Sequence, residues 1–318
     1  MKAGVADIKL RLSAPFAVLA GLLMADCSHK DIECPFAASR EVNVHFSWKN
    51  APGASPEGMT VYFFPETEGG AIWRFDIAGA AGGPVLLPVG CYRMVTCNND
   101  LPGVRLADTG AFGSMAAQAR TDASGNALTT GMLYGAAVPH VEVTLCGVIY
   151  TSASGEHREC GKSVVQCEPD SLATDFRVLV GNVKGIDRVK SASATVRSVM
   201  TRMTLSSALP SGAEAPLLVP MDKDMNEARL EGRASGFLPV ADMKYWLTLR
   251  IVRADGKVLT KDFDINGQVE DRNGRHSVII VIDGIDVPEG GGTSDPGDVG
   301  GIAVGVDGWN VVEIDLGN

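Results

Sequence analysis

A chain of 318 residues is long enough for two domains of ordinary size, each with its own core. Its formal net charge of −10 argues against nucleic acid, whose binding depends on Lys and Arg neutralising phosphates, and equally against a polybasic membrane patch. The 37 glycines and 16 prolines, spread widely, suit many short strands joined by turns, whereas long helices tolerate few of either.

Lys2, Lys9 and Arg11 precede an apolar run from Leu12 to Ala25, the layout of a secretory signal segment. The run is too short to span a bilayer, which needs about 20 apolar residues. We read residues 1–26 as a lipoprotein signal peptide, Cys27 as the lipidation site and 27–40 as a tether. Met24 and Ala25 suit the positions before such a cysteine, but Asp26 places a charge in a small-residue subsite. Plain secretion after Val18-Leu19-Ala20 stays open as the alternative. Setting Cys27 aside leaves Cys34, Cys91, Cys97, Cys146, Cys160 and Cys167, an even number that an oxidising compartment can pair as disulfides or leave as buried thiols. A zinc site needs close pairs such as Cys-x-x-Cys; none is present, and Cys160, Cys167 and His157 are too loosely spaced, so no metal is expected.

The first strand is predicted from Glu41 to Trp48, where Val42, Val44, Phe46 and Trp48 alternate with Asn43, His45 and Ser47. Met59, Val61 and Phe63 repeat the pattern until Pro65, and Trp73, Phe75 and Ile77 alternate against Arg74 and Asp76. A strand from Cys91 to Cys97 enters through Gly90 and leaves through the turn formers Asn98-Asn99-Asp100. Leu101 to Thr130, rich in Gly, Ala, Ser and Thr, reads as a long crossing loop with room for one short helix. Alternation over 138–150 closes a first β-domain spanning 41–160, and the polar stretch Thr151 to Pro169 looks like the junction.

A second β-domain is expected over 161–288. "TDFRVLVGNV" and "SATVRSVMTRMTL" read as strands. Asp255-Gly256 and Asn273-Gly274 each supply positive φ for a tight hairpin turn, the second leading into the strand "SVIIVID". Residues 289–301 form a glycine-rich linker by composition, followed by a terminal strand over 302–318 that can complete its own domain or pair with another subunit's sheet edge.

Catalytic signatures fail one by one: no G-x-S-x-G elbow, H-E-x-x-H helix or phosphate loop occurs. Asp222, Asp224 and Asn226 alternate as calcium ligands do, but Glu227 stands where glycine makes the turn and Arg233 where a bidentate glutamate belongs. Asp262 and Asp264 share a solvated strand face, and His29, His45, His140, His157 and His276 have no partner at a suggestive spacing. No catalytic residue and no cofactor is expected.

The stretches "VNVHFSWKNAPGASPEGMTVYFFPETEGG" and "LLPVGCYRMVTCNND" resemble the fimbrillin-like lipoproteins of Bacteroidales bacteria, on Trp48, Pro56, Gly58, Met59, Pro88, Gly90, Tyr92 and Asn98 to Asp100. "CSHKD" looks like the start of such mature lipoproteins, and "GWNVVEIDL" resembles the closing strand common in fimbrillins. The motifs are turn and core residues and specify a fold far better than an activity. The resemblance implies an all-β protein of two tandem, antiparallel, transthyretin-like Greek-key sandwiches, carrying lipid (palmitate) on Cys27 and held at the outer membrane facing the cell surface. It implies a fimbrial anchor or accessory subunit, with fimbrial subunits as partners through strand complementation. In polymerising members an arginine-specific protease removes the first strand, which makes Arg40 a candidate processing site; a simple strand-flanking charge is the alternative. A surface adhesin or glycan- or protein-binding module remains the other reading, with Trp73, Trp246 and Trp309 as the aromatics to inspect.

Overall fold

The computed structural model describes residues 38–152, 155–160, 162–239, 243–270, 276–289 and 310–312, with backbone alone for 152, 156–160, 270 and 310–312; all fall in one compact unit starting at Ala38. Cys27, Cys34, Trp309, the Asn273-Gly274 turn and nearly all of the linker and terminal segment lie outside the described residues. The first half runs through β1 (Ser39–Phe46), β2 (Gly58–Pro65), β3 (Trp73–Ala78), β4 (Gly82–Pro88), β5 (Gly90–Asn98), β6 (Val104–Ala107), β7 (Ala116–Ala119), β8 (Tyr134–Val143), β9 (Gly147–Ser152), β10 (Gly155–Cys160), β11 (Val164–Cys167) and β12 (Asp170–Ser171). There follow β13 (Thr174–Gly181), β14 (Val189–Thr204), β15 (Leu209–Asp224), β16 (Arg229–Gly236), β17 (Trp246–Arg253), β18 (Val258–Asp264), the short helix α1 (Asn266–Glu270), β19 (Ser277–Asp283) and β20 (Asn310–Val312). The chain is therefore all-β, as its turn-rich composition predicts.

A three-stranded sheet, β11-β1-β4, faces a larger one ordered β10-β9-β8-β5-β2-β3 with β12 beside β8. Between them lie Val42, Val44 and Phe46 from β1, Leu87 from β4, Met59, Val61 and Phe63 from β2, and Val141 and Val143 from β8. The period-2 alternation read in β1 holds, with His45 outward. β4 is absent from the sequence reading because Gly82, Gly83 and Pro84 mask its Val85/Leu87 alternation. The stretch read as a junction instead builds the first half: β10 pairs with β9, and β11 lies parallel to β1, Asn43 opposite Val164.

β2 departs from simple alternation, because all its residues up to Phe64 are buried. Its second face, with Tyr62 and Phe64, and that of β5, with Val95 and Cys97, pack on Met115, Ala117 and Ala119. Those alanines belong to the β6–β7 hairpin, where the sequence reading expects a loop with a short helix. β7 pairs antiparallel with β14, Ala117 opposite Met203, so an insertion from the first half completes the second half's sheet. Alanine and glycine gave no apolar signal there, yet only small side chains let the hairpin lie close against both sheets. The shared core also takes in Leu133, Leu172, Leu205 and Phe237.

The second half is a ten-stranded sheet ordered β19-β13-β16-β15-β14-β17-β18-β20, with β7 and β6 added beside β14. Its inner face gathers Phe176, Val178, Val196, Leu217, Val219, Leu247, Leu249, Ile251 and Ile280 into one core. Register shifts at Val196/Val199 and Met200/Arg202 bend the long β14. The β17–β18 hairpin forms where predicted, but only Gly256 takes positive φ (86°), and Asp255 instead accepts the Lys257 N–H (3.2 Å). "SVIIVID" is a strand, but its partner is β13 and the pairing is parallel, so the connection from β18 through α1 is not a hairpin.

Candidate functional site

The sequence points to three places: the start of β1 with Arg40, the terminal strand, and the cysteines. β1 is paired on both sides, antiparallel to β4 from Ser39 to His45 and parallel to β11. Arg40 Nε donates to Ser163 Oγ (2.5 Å) and Nη1 to the Leu145 carbonyl (2.6 Å), so its guanidinium ties β1 to the β8–β9 turn and the approach to β11. The flanking charge is thereby a fastening, and cutting beside it requires β1 to unpair first.

The motif residues that carry the family resemblance act as pins. Asn98, 5% exposed, donates from Nδ2 to Asp100 Oδ1 (2.7 Å) and the Met132 carbonyl (3.1 Å), and its Oδ1 accepts the Tyr134 N–H (2.8 Å). Asp100 in turn accepts the Glu57 N–H (3.1 Å), so the Asn-Asn-Asp exit of β5 binds the turns before β2 and β8. A Cβ on Gly58 would meet Asn99 Oδ1 at 2.8 Å and the Ile77 carbonyl at 3.1 Å, so a side chain there would crowd both the Asn99 carboxamide and β3. Trp48 donates its indole N–H to the Ala80 carbonyl (2.7 Å) and meets Tyr134 edge-on at 5.6 Å. Tyr92 donates to the Pro88 carbonyl (2.9 Å).

β20 adds to the rim of β18, Val312 opposite Val258 and Asn310 opposite Thr260. Of the two fates open to the terminal strand in sequence, the described backbone has it on its own sheet.

Among the described residues Cys91, Cys97, Cys146 and Cys167 are free thiols. Cys91 and Cys97 share β5, six positions and so roughly 20 Å apart, beyond bonding reach of each other. Burial pushes the Cys97 thiol up to about 12 and raises Cys167 as well, so both behave as core side chains; Cys146 is exposed. The Cys160 side chain and Cys34 lie outside the described residues.

Titratable residues far apart in sequence do meet. His140 Nδ1 lies 3.0 Å from Glu66 Oε1, and His276 Nε2 lies 3.8 Å from Asp170 Oδ1, pairs that local spacing could not disclose. Asp76 accepts from Thr60 (2.6 Å) and Arg74 (3.1 Å); the Thr60 bond first, then Arg74, hold its carboxyl below the usual range. The acidic turn at Asp224 is closed by its own backbone: Asp224 Oδ1 accepts the Asn226 and Glu227 N–H groups, and Arg229 lies 2.5 Å from Glu227. Asp262 accepts from Thr248 (2.5 Å) and Arg197 (3.3 Å), while Asp264 caps Asn266 (2.9 Å). Trp73 packs on the first core, whereas Trp246 is 38% exposed at the start of β17.

The fold that positions these residues is shared by solved structures. A candidate adhesin from Bacteroides ovatus superposes with a TM-score of 0.62 at 15% identity, covering 83% of this chain and 97% of its own. A second from the same species gives 0.51 at 12%, covering 76% and 89%. A Bacteroides thetaiotaomicron structure described as a candidate polysaccharide-binding protein gives 0.51 at 13%, covering 77% and 91%. At such identities the likeness is one of fold, and the class it defines is that of proteins built from packed, mostly antiparallel β-sheets. No curated protein matches the sequence. Within that class the chain belongs to the family described as domain of unknown function DUF5119, whose model matches residues 26–219.

Proposed function

We propose that the protein is a non-enzymatic, lipid-anchored protein of the outer membrane, exposed at the cell surface, that serves as an anchor or accessory subunit of a fimbria-like assembly. The observation that carries the reading is the terminal strand: after a glycine-rich segment, Asn310–Val312 joins the rim of β18 over a short register. A strand added last, through backbone hydrogen bonds at an open rim, is the kind that can pair instead with a neighbouring subunit. Support also comes from the signal pattern ahead of Cys27 and from the adhesin-type fold. An anchor keeps its lipid and keeps β1, and the bonds of Arg40 to Ser163 and Leu145 favour an uncut Arg40. Deleting Gly301 to Asn318 tests the assembly role: subunit incorporation should fall while surface retention persists. Unchanged incorporation into any polymer would remove strand exchange from the proposal.

A second reading, a glycan-binding surface module, draws on Trp246, which stands exposed beside the carboxylates of β18, Asp264 being its cross-strand neighbour. An aromatic face next to carboxylates suits a sugar ring and its hydroxyls. Glycan-array binding abolished by Trp246→Ala would favour it over assembly.

A further inference from the structure

β19 ends the ten-stranded sheet on the side away from β20, and among the described residues no strand lies along its outer rim. The strand is apolar on both faces. Val278, Ile280 and Ile282 are buried in the core, while Ile279 and Val281 on the other face are 52% and 53% exposed. A strand that is apolar on both faces is the pattern of one that becomes covered on both.

What the rim holds instead of a strand is a side chain. Gln268 on α1 donates from Nε2 to the Val281 carbonyl (3.2 Å) and accepts the Val281 N–H on Oε1 (2.6 Å). A carboxamide that offers one donor and one acceptor to a single residue's backbone stands in for the peptide group of a neighbouring strand. The contact also fixes orientation. Val281 turns its backbone groups outward, and the two-residue period gives Ser277, Ile279 and Asp283 the same direction.

We propose that the β19 rim is a pairing surface for a second copy of this chain, held shut in the single chain by Gln268. The sequence of the strand is complementary to itself. Antiparallel pairing about an axis through Ile280 joins outward-facing residues only, setting Ile279 against Val281 of the second copy and Ser277 against Asp283. The apolar pairs fall at the centre, and each Asp283 carboxylate meets a serine hydroxyl that can donate to it. The two carboxylates lie at opposite ends. Asp283 keeps its bond from Asn182 (2.6 Å) through Oδ1, which leaves Oδ2 for the serine. Moving the axis to Val281 would instead set Asp283 against Ile279, a charge against an apolar side chain. Of the charges beside the rim on β13, Arg177 next to Ile279 is neutralised by Glu231 at 2.7 Å, while Asp175 next to Ser277 leaves the serine hydroxyl as the donor between two carboxylates. This pairing is separate from strand exchange at β18 and would stand if that proposal failed.

Sedimentation equilibrium of the mature protein, produced as Cys27→Ala so that no lipid contributes, tests the proposal. Each copy gives up two side-chain hydrogen bonds on pairing, so Gln268→Ala should lower the dimer dissociation constant by about tenfold or more relative to the parent. Gln268→Glu keeps the acceptor but cannot donate to the Val281 carbonyl, and should shift it the same way by less. Adding Ile279→Lys and Val281→Lys to Gln268→Ala places lysines opposite one another across the axis and should return a monomer with unchanged circular dichroism. A Gln268→Ala dimer no tighter than the parent, or one that survives both lysines, would overturn the proposal.

Discussion

Phe237→Ala probes the shared core beneath the β6–β7 hairpin. Phe237 is fully buried and packs with Tyr62, Phe64 and Val95 of the first half, the hairpin's Met115 and Ala117, and Met203 and Leu205 of β14 and its end. Its backbone carbonyl accepts the Met200 N–H (2.8 Å), so the residue sits where the bent β14 is pinned. Truncation removes the ring's transfer energy and leaves a cavity in a cluster fixed by strands on several sides, a loss of about 3–5 kcal/mol. That is a large share of the roughly 5–15 kcal/mol by which a domain is stable. With a urea slope near 3 kcal/mol per molar, the midpoint should fall by about 1–2 M. Because the cluster draws on both halves, they should lose stability together. The assay is urea unfolding followed by tryptophan fluorescence in variants retaining Trp48 alone, which reports the first half, or Trp246 alone, which reports the second, with far-ultraviolet circular dichroism alongside. Coincident transitions that move together agree with the reasoning; a shift seen by Trp246 but not by Trp48 would refute it.

Asn98→Ala removes three hydrogen bonds and leaves the Tyr134 N–H without its acceptor, so stability should fall by about 1–3 kcal/mol, measured by the same unfolding experiment. Alkylation at neutral pH with peptide mapping should modify Cys146 in the native protein and Cys97 and Cys167 only after denaturation, since burial raises both of the latter. Asp76 and Glu231 have folded values held below their ordinary ones, by the Thr60 and Arg177 hydrogen bonds respectively. Their contribution is complete above the ordinary carboxylate range and is lost as pH falls through the lowered values, so thermal midpoints should be flat from about pH 7 to 5 and fall below about pH 4. Asp76→Asn should flatten that fall.

Strands with clean alternation, such as Val42/Val44/Phe46 in β1 and Trp73/Phe75/Ile77 in β3, were legible because a half-buried strand writes its burial into the sequence with period 2. β2 was only half legible. Tyr62 and Phe64 fall on the face that alternation assigns to solvent, and only the remote hairpin explains their burial. That hairpin was hard to see because the buried residues of β7 are all alanines, which allow close approach but carry little apolar signal. The partner of β19 was equally hidden, since pairing with β13 depends on topology and not on the turn before it. Of the sites, Arg40 was found, but its fastening to Ser163 spans 123 positions. The same holds for Gln268, whose amide matters only because α1 lies against the rim of β19.

Fatty-acid labelling of cells expressing the wild type and Cys27→Ala, followed by protease treatment of intact cells and determination of the mature N-terminus, bears on the proposed anchor most directly. The expected result is label on the wild type alone, a mature chain beginning at Cys27, an intact Arg40-Glu41 bond and digestion from outside the cell. An unlabelled wild type, or a mature chain beginning at Glu41, would contradict it.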